Sequence, residues 1–141
     1  MLVKIALISF CVLELSNVAV LYFAPGTRYA NAVGVFRAWE QSKQYPEIHD
    51  FIRYLVNWVA GAKLIFLLLL AVIVIFGDIE IQQMSLLALA LATASFFWRL
   101  YPLIRKMDRG GQIEPEGYSK TLGLMIAAFI VVFVVAGVVN I

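Results

Sequence analysis

Four polar side chains sit inside the apolar stretches of this chain at spacings that let them meet: Glu14, Asn17, Lys63 and Arg99. The chemistry open to such a set is electrostatic. One carboxylate can accept from a lysine and an arginine at once, and a carboxamide three residues along a helix can add a further hydrogen bond. Several turns inside a hydrocarbon layer a lone charge costs roughly 2.5 kcal/mol or more unless it snorkels, meets water or finds an opposite charge. Glu14 is therefore expected to be the shared anion of a cluster with Lys63 and Arg99, supported by Asn17.

The elements that must position these groups follow from the hydrophobic pattern. Leu64 to Phe76 carries no polar side chain, yet at ~1.5 Å per residue it covers only about 20 Å of a ~30 Å hydrocarbon layer. The span must reach back past Lys63 to Leu55. A first span over residues 2–23 is stopped by Pro25-Gly26, because proline lacks the donor and glycine releases the backbone. In it Leu7, Cys11, Glu14, Val18 and Leu21 share one face. Glu14 lies nine residues from Phe23 and Lys63 eight from Leu55, so both sit about 12 to 14 Å from the same boundary.

A third span over 83–104 follows a short link at 77–83, which makes spans two and three an antiparallel hairpin. Its Ser85, Ala88, Ala92 and Ser95 form a row of small residues suited to close helix packing, and the same row would point Arg99 into the bundle. A fourth span covers 122–139. The whole is an all-α, four-helix membrane bundle in one domain, residues 1–141.

Composition supports the class. The 141 residues are 63% hydrophobic and 14% charged, where a soluble domain has about half and about a quarter, and the mean hydropathy is +0.92. A net charge of +2 does not point to nucleic acid. The single cysteine, Cys11, allows neither an internal disulfide nor a zinc cluster. Lys4 followed by Ile5–Leu13 looks like a secretory leader, but Glu14 and Asn17 interrupt the run and it continues to Phe23, so it reads as a retained helix.

The basic residues set an expected orientation. Arg28, Arg37, Lys43 and Arg53 lie in the loop at 24–54, and Arg105, Lys106, Arg109 and Lys120 lie in the loop at 105–121, against Lys4 alone on the other side. Both loops are then cytoplasmic and both termini outside the cell membrane. In the first loop Ala32, Val35, Phe36 and Trp39 oppose Arg37, Glu40, Gln41 and Lys43, which reads as an amphipathic helix lying in the headgroup layer. Pro46 opens a new helix that runs into the second span.

Other candidate sites are weak. His49 stands between Glu47 and Asp50, whose side chains do not converge with it on a helix, so no metal site is expected. Asp108, Glu114, Glu116 and Lys120 read as a solvated loop. There is no glycine-rich phosphate loop, HExxH or nucleophile elbow, and no cofactor is implied. Over about ten residues, Arg37-Ala38, Gln41, Gln44 and Pro46 resemble the Arg-Ala, Asn, Glu, Pro signature of the membrane-associated eicosanoid and glutathione enzymes, which are small four-span proteins. Glutamines stand at the Asn and Glu positions and the proline is out of step.

Three functional classes remain. The leading one is a non-enzymatic membrane module that binds or assembles with another membrane protein or with itself. The second is a small transporter or ion pathway through Glu14, Lys63 and Arg99. The third is the membrane-embedded lipid- or glutathione-type enzyme that the resemblance implies.

Overall fold

The computed structural model describes residues 1–30 and 32–139. It is helical: α1 (Leu2–Phe23), a 3-10 turn (Val33–Val35), α2 (Arg37–Ser42), α3 (Pro46–Phe76), α4 (Ile79–Ala94), α5 (Phe96–Arg109) and α6 (Tyr118–Val138). Taken together with α4 and α5 as one interrupted rod, four helices are long and apolar enough to cross a membrane. Their outward faces carry Ile65, Leu68, Leu69, Leu91, Leu124 and Val131, a surface that water would penalise and lipid tails accept.

Local chemistry sets the breaks. Pro46 occupies the first turn of α3, where its missing N–H is harmless, and Glu47 beside it complements the helix dipole. Only Gly77 and Asp78 separate α3 from α4. The Asp78 carboxylate accepts from the Ile81 amide at 2.8 Å, capping α4. The Gln82 amide reaches back to the Val74 and Gly77 carbonyls at 3.3 and 3.0 Å, covering the end of α3. The rod α4–α5 is interrupted at Ser95. There the backbone tightens to three-residue bonding, with the Trp98 amide on the Ser95 carbonyl at 3.1 Å, while the Ser95 hydroxyl bonds back to Ala92 O at 2.6 Å. Both are recognised causes of helix bending.

The helices pair as α1 on α3 and α4 on α6. At the end that holds the termini, all four rods share one core of Val3, Leu7, Leu70, Val74, Leu86, Leu89, Ala90, Phe133 and Ala136. Toward the loops the pairs have separate cores. Val18, Leu21, Val56, Ala60 and Leu67 fill the α1–α3 seam, and α5 packs on α6, where the Tyr101 ring comes so near that a Cβ on Gly123 would lie 2.7 Å from it.

Several expectations are revised by these contacts. The first loop does not form one continuous amphipathic helix. It folds as the 3-10 turn and the six-residue α2, with Ala32, Val35 and Trp39 buried in the protein. The small-residue row is not the face α4 packs with. Ala88, Ala92 and Ser95 are exposed and Ser85 is partly so, whereas Gln82, Gln83, Leu86, Leu89 and Ala90 face inward. α3 does begin at Pro46 and run unbroken to Phe76, and α4 and α6 begin at Ile79 and Tyr118, a few residues before the hydrophobic runs of the third and fourth spans.

The two loops are sewn together. Phe36 and Ile113 form an antiparallel bridge, the Arg37 amide donates to Gln112 O and the Glu114 amide to Val35 O, both at 2.9 Å, and Val35, Ile104 and Ile113 form a small core beneath them. Asp108, at the end of α5, accepts from the Gly117 and Ser119 amides at 3.0 and 2.9 Å and from the Ser119 hydroxyl. It thereby caps α6, whose own cap residue Gly117 has no side chain to offer.

These bonds, led by the Ser119 hydroxyl, hold the Asp108 carboxyl below its ordinary value. A depressed folded pKa means the contribution is complete above the unfolded value near 4 and is lost as pH falls through the folded value. Asp108→Ala is expected to destabilise the protein by about 1 kcal/mol, the usual cost of a lost cap, and to remove part of its acid sensitivity. Thermal melts in detergent between pH 3 and 7 measure both, and equal acid sensitivity in the two proteins would refute the assignment.

Candidate functional site

Glu14 and Lys63 occupy equivalent places in the α1–α3 seam. On α1 the inward residues are Val3, Leu7, Cys11, Glu14, Val18 and Leu21, and on α3 they are Val56, Ala60, Lys63, Leu67, Leu70 and Val74, at steps of three and four. One layer of an otherwise apolar seam is thus an ion pair. Lys63 Nζ lies 2.6 Å from Glu14 Oε2, and the Asn17 amide donates to the other carboxylate oxygen at 3.1 Å. The side chains retain 16% exposure for Glu14 and 30% for Lys63, so the pair is screened by protein on one side and open on the other.

Arg99 does not join them. It is exposed on α5 with its guanidinium carbon 5.5 Å from the centroid of the Trp98 ring, a cation–π geometry of the kind that anchors helices at a membrane boundary. The expectation failed because it took the small-residue row as the packing face of α4 and ran it straight on to Arg99, whereas α4 packs through Gln82, Gln83, Leu86, Leu89 and Ala90 and the rod is interrupted at Ser95.

The open side of the ion pair is a cleft between the α1–α3 pair and the α5–α6 pair. Its larger chamber has a volume of about 780 Å³ and is bounded by Leu13, Glu14 and Asn17 of α1, Arg28 and Tyr29 of the first loop, Lys63, Ala92 and Ser95, and Met125, Ile126 and Phe129 of α6. A second chamber of about 550 Å³ lies among Leu21, Val33, Phe36, Ile52, Val56, Leu103 and Met107. Lys63, Phe96, Leu100, Tyr118, Leu122 and Ile126 line both. The lower half of the small-residue row therefore makes room in the cleft, while Ser85 lies outside the residues that line it. Volumes of about 300 to 1,000 Å³ with a few convergent polar groups are typical of small-molecule sites.

The floor of the cleft is the sewn pair of loops. Glu114 accepts from Arg28 Nη2 at 2.9 Å through one oxygen and from Arg37 Nε at 3.0 Å through the other. Sequence reasoning treated Glu114 as a solvated loop acid and Arg28 only as a marker of orientation. Their partners lie 86 and 77 residues away, and no local pattern signals such a contact. His49 is engaged elsewhere, 2.8 Å from the Ser42 hydroxyl and packed against Trp39. Among the described residues no three His, Cys, Asp or Glu side chains come together as a metal site.

Against protein-family models, curated proteins and solved structures, the chain matches none. The short likeness of residues 37–46 to the eicosanoid and glutathione enzymes is thus not backed by a family match. Arg37 and Arg99, which that reading needs in one groove, line neither chamber, Arg37 being paired with Glu114 and Arg99 lying over the Trp98 ring.

Removing one member of the pair strands the other charge, a loss of 3–5 kcal/mol in a fully buried pair and about 2 kcal/mol with the exposure seen at this site. Lys63→Met should lower stability by about that amount, and Glu14→Gln with Lys63→Met should recover most of it. Equilibrium unfolding in mild detergent gives the coupling energy. Glu14→Gln and Arg99→Ala should instead be additive, and zero coupling between Glu14 and Lys63 would contradict the pairing.

Proposed function

We propose that this is a four-span membrane protein that binds, without transforming it, a membrane amphiphile in the cleft between its two helix pairs. The observation that carries the reading is the ion pair itself. A carboxylate and an ammonium that neutralise each other form one wall of a mostly apolar chamber, and Asn17, Tyr29, Tyr118 and Thr121 add further polar groups to its lining. Such a lining suits a molecule with one polar end and a hydrocarbon body, and Leu122, Met125, Ile126 and Phe129 offer the body a continuous apolar track.

Both sewn loops are placed in the cytoplasm, following their surplus of arginine and lysine. The termini then lie on the outer side of the cell membrane, and the ligand enters sideways from the lipid through the gaps between the helix pairs. A conducting pathway is supported less well, because the cavity of about 430 Å³ that continues past Phe10 and Phe129 toward the termini has Ser9 as its single polar side chain and offers an ion no charged partner. Self-assembly, or assembly with another membrane protein, is the second reading. It is favoured by the outward Ala88, since a small side chain on a lipid-facing helix permits close approach of another helix.

An environment-sensitive fluorescent fatty amphiphile, titrated into the detergent-solubilised protein, tests the cleft. Saturable binding is expected in the wild type, and Ile126→Trp, which fills the junction of the two chambers, should weaken it by about tenfold or more, a loss of roughly 1.4 kcal/mol or greater. Equal binding by the two proteins with unchanged melting temperature would place the amphiphile elsewhere.

A further inference from the structure

The chain has more positive charge at the loop end of the cleft than its ion pairs consume. Arg28 and Arg37 flank one carboxylate, Glu114, and each contacts it through a single nitrogen at 2.9 and 3.0 Å. A guanidinium has five N–H donors, so most of the donors on both remain uncommitted, and the trio keeps a net charge of +1. The two arginines are largely exposed, at 64% and 56% of their side-chain surface. Arg28 and Tyr29 line the larger chamber directly, and the other cation of that chamber, Lys63, is already neutralised by Glu14. The lining of the chamber thus includes Arg28, and Arg37 is held beside it on the other oxygen of the same carboxylate.

We infer that the occupant of the cleft is an anionic phospholipid of the leaflet on the loop side, with its phosphate held by Arg28 and Arg37 and an acyl chain lying against α6 between Leu122 and Phe129. This rests on the reading of the cleft as an amphiphile site and adds the charge of the headgroup. Planar forks match phosphate oxygens in pairs. A zwitterionic headgroup would bring its own ammonium to a trio that is already cationic, and gains nothing from it.

The test is native mass spectrometry of the purified protein in mild detergent, with phosphatidylglycerol or phosphatidylcholine of the same chains added in equal amounts. The wild type should retain phosphatidylglycerol about tenfold better. Arg28→Gln with Arg37→Gln should bring the two lipids to parity. Glu114→Gln controls for the loop clamp, because it breaks the same two ion pairs while keeping both cations, and it should preserve the preference for the anionic lipid. If Glu114→Gln abolishes the preference as fully as the double arginine variant does, the trio is only a structural clamp and the inference falls. If the wild type holds both lipids equally and Ile126→Trp loses both, the cleft reading stands and the headgroup assignment is overturned. If neither lipid is retained, or Ile126→Trp retains both, the cleft reading fails along with it.

Discussion

A single layer of the α1–α3 seam decides how the rest of the molecule can be arranged. Two opposite charges held 2.6 Å apart fix the register of the two helices, because sliding either by one turn, about 5.4 Å, would leave a carboxylate and an ammonium unpartnered among apolar side chains. The layers on either side, Val18 with Ala60 and Leu7 with Leu70 and Val74, would tolerate such a slip more readily, since apolar contacts are not directional. Register specificity of this kind is the best attested use of a polar group in a helical seam. The stabilisation it adds over a hydrophobic pair is small.

The same layer explains why the bundle is closed at one end and open at the other. Above it the four rods meet through leucines, valines and Phe133, with the buried Gln83 amide nitrogen the one side-chain group there left without a hydrogen bond among the described residues. At the level of Glu14 and Lys63, packing an apolar helix directly over the pair would remove the last of its exposure and add desolvation cost that no further partner offsets. The second pair of helices stands off instead, and the bend at Ser95 carries α5 along α6. The gap persists because the loops beneath it are tied by backbone hydrogen bonds and by the Arg28–Glu114–Arg37 trio.

Much of this geometry could be read by counting. The equal depth of Glu14 and Lys63 follows from residue numbers measured from the Phe23 and Leu55 boundaries, and Asn17 belongs to the pair through helical spacing alone. What could not be read was which face of α4 turns inward. A row of small residues suggests a close-packing face, whereas the face that turns inward carries two glutamines, Gln82 and Gln83, beside Leu86, Leu89 and Ala90, and the Gln83 amide nitrogen has no hydrogen-bond partner. Gln82 proves to be buried as the cap of the preceding helix, a role set by a two-residue connection. Arg99 went astray with that face, since its placement depended on it. The sewn loops lay beyond any local argument, for a bridge between Phe36 and Ile113 depends on tertiary closure of the whole chain.

The distribution of charge then bears on how the cleft behaves. A pair that is neutral as a unit and a trio with one net positive charge stand at two heights of one chamber, and they respond differently to an incoming group. The pair is already satisfied, so an ion that displaced Lys63 or Glu14 would have to replace a contact of 2.6 Å while stranding the released partner. The trio loses nothing when a third party arrives, because each guanidinium keeps donors that Glu114 does not use. Selectivity by charge is therefore expected at the boundary, where solvent and lipid headgroups are at hand. The deeper pair acts as a polar stop that orders the helices around whatever hydrocarbon lies beside it.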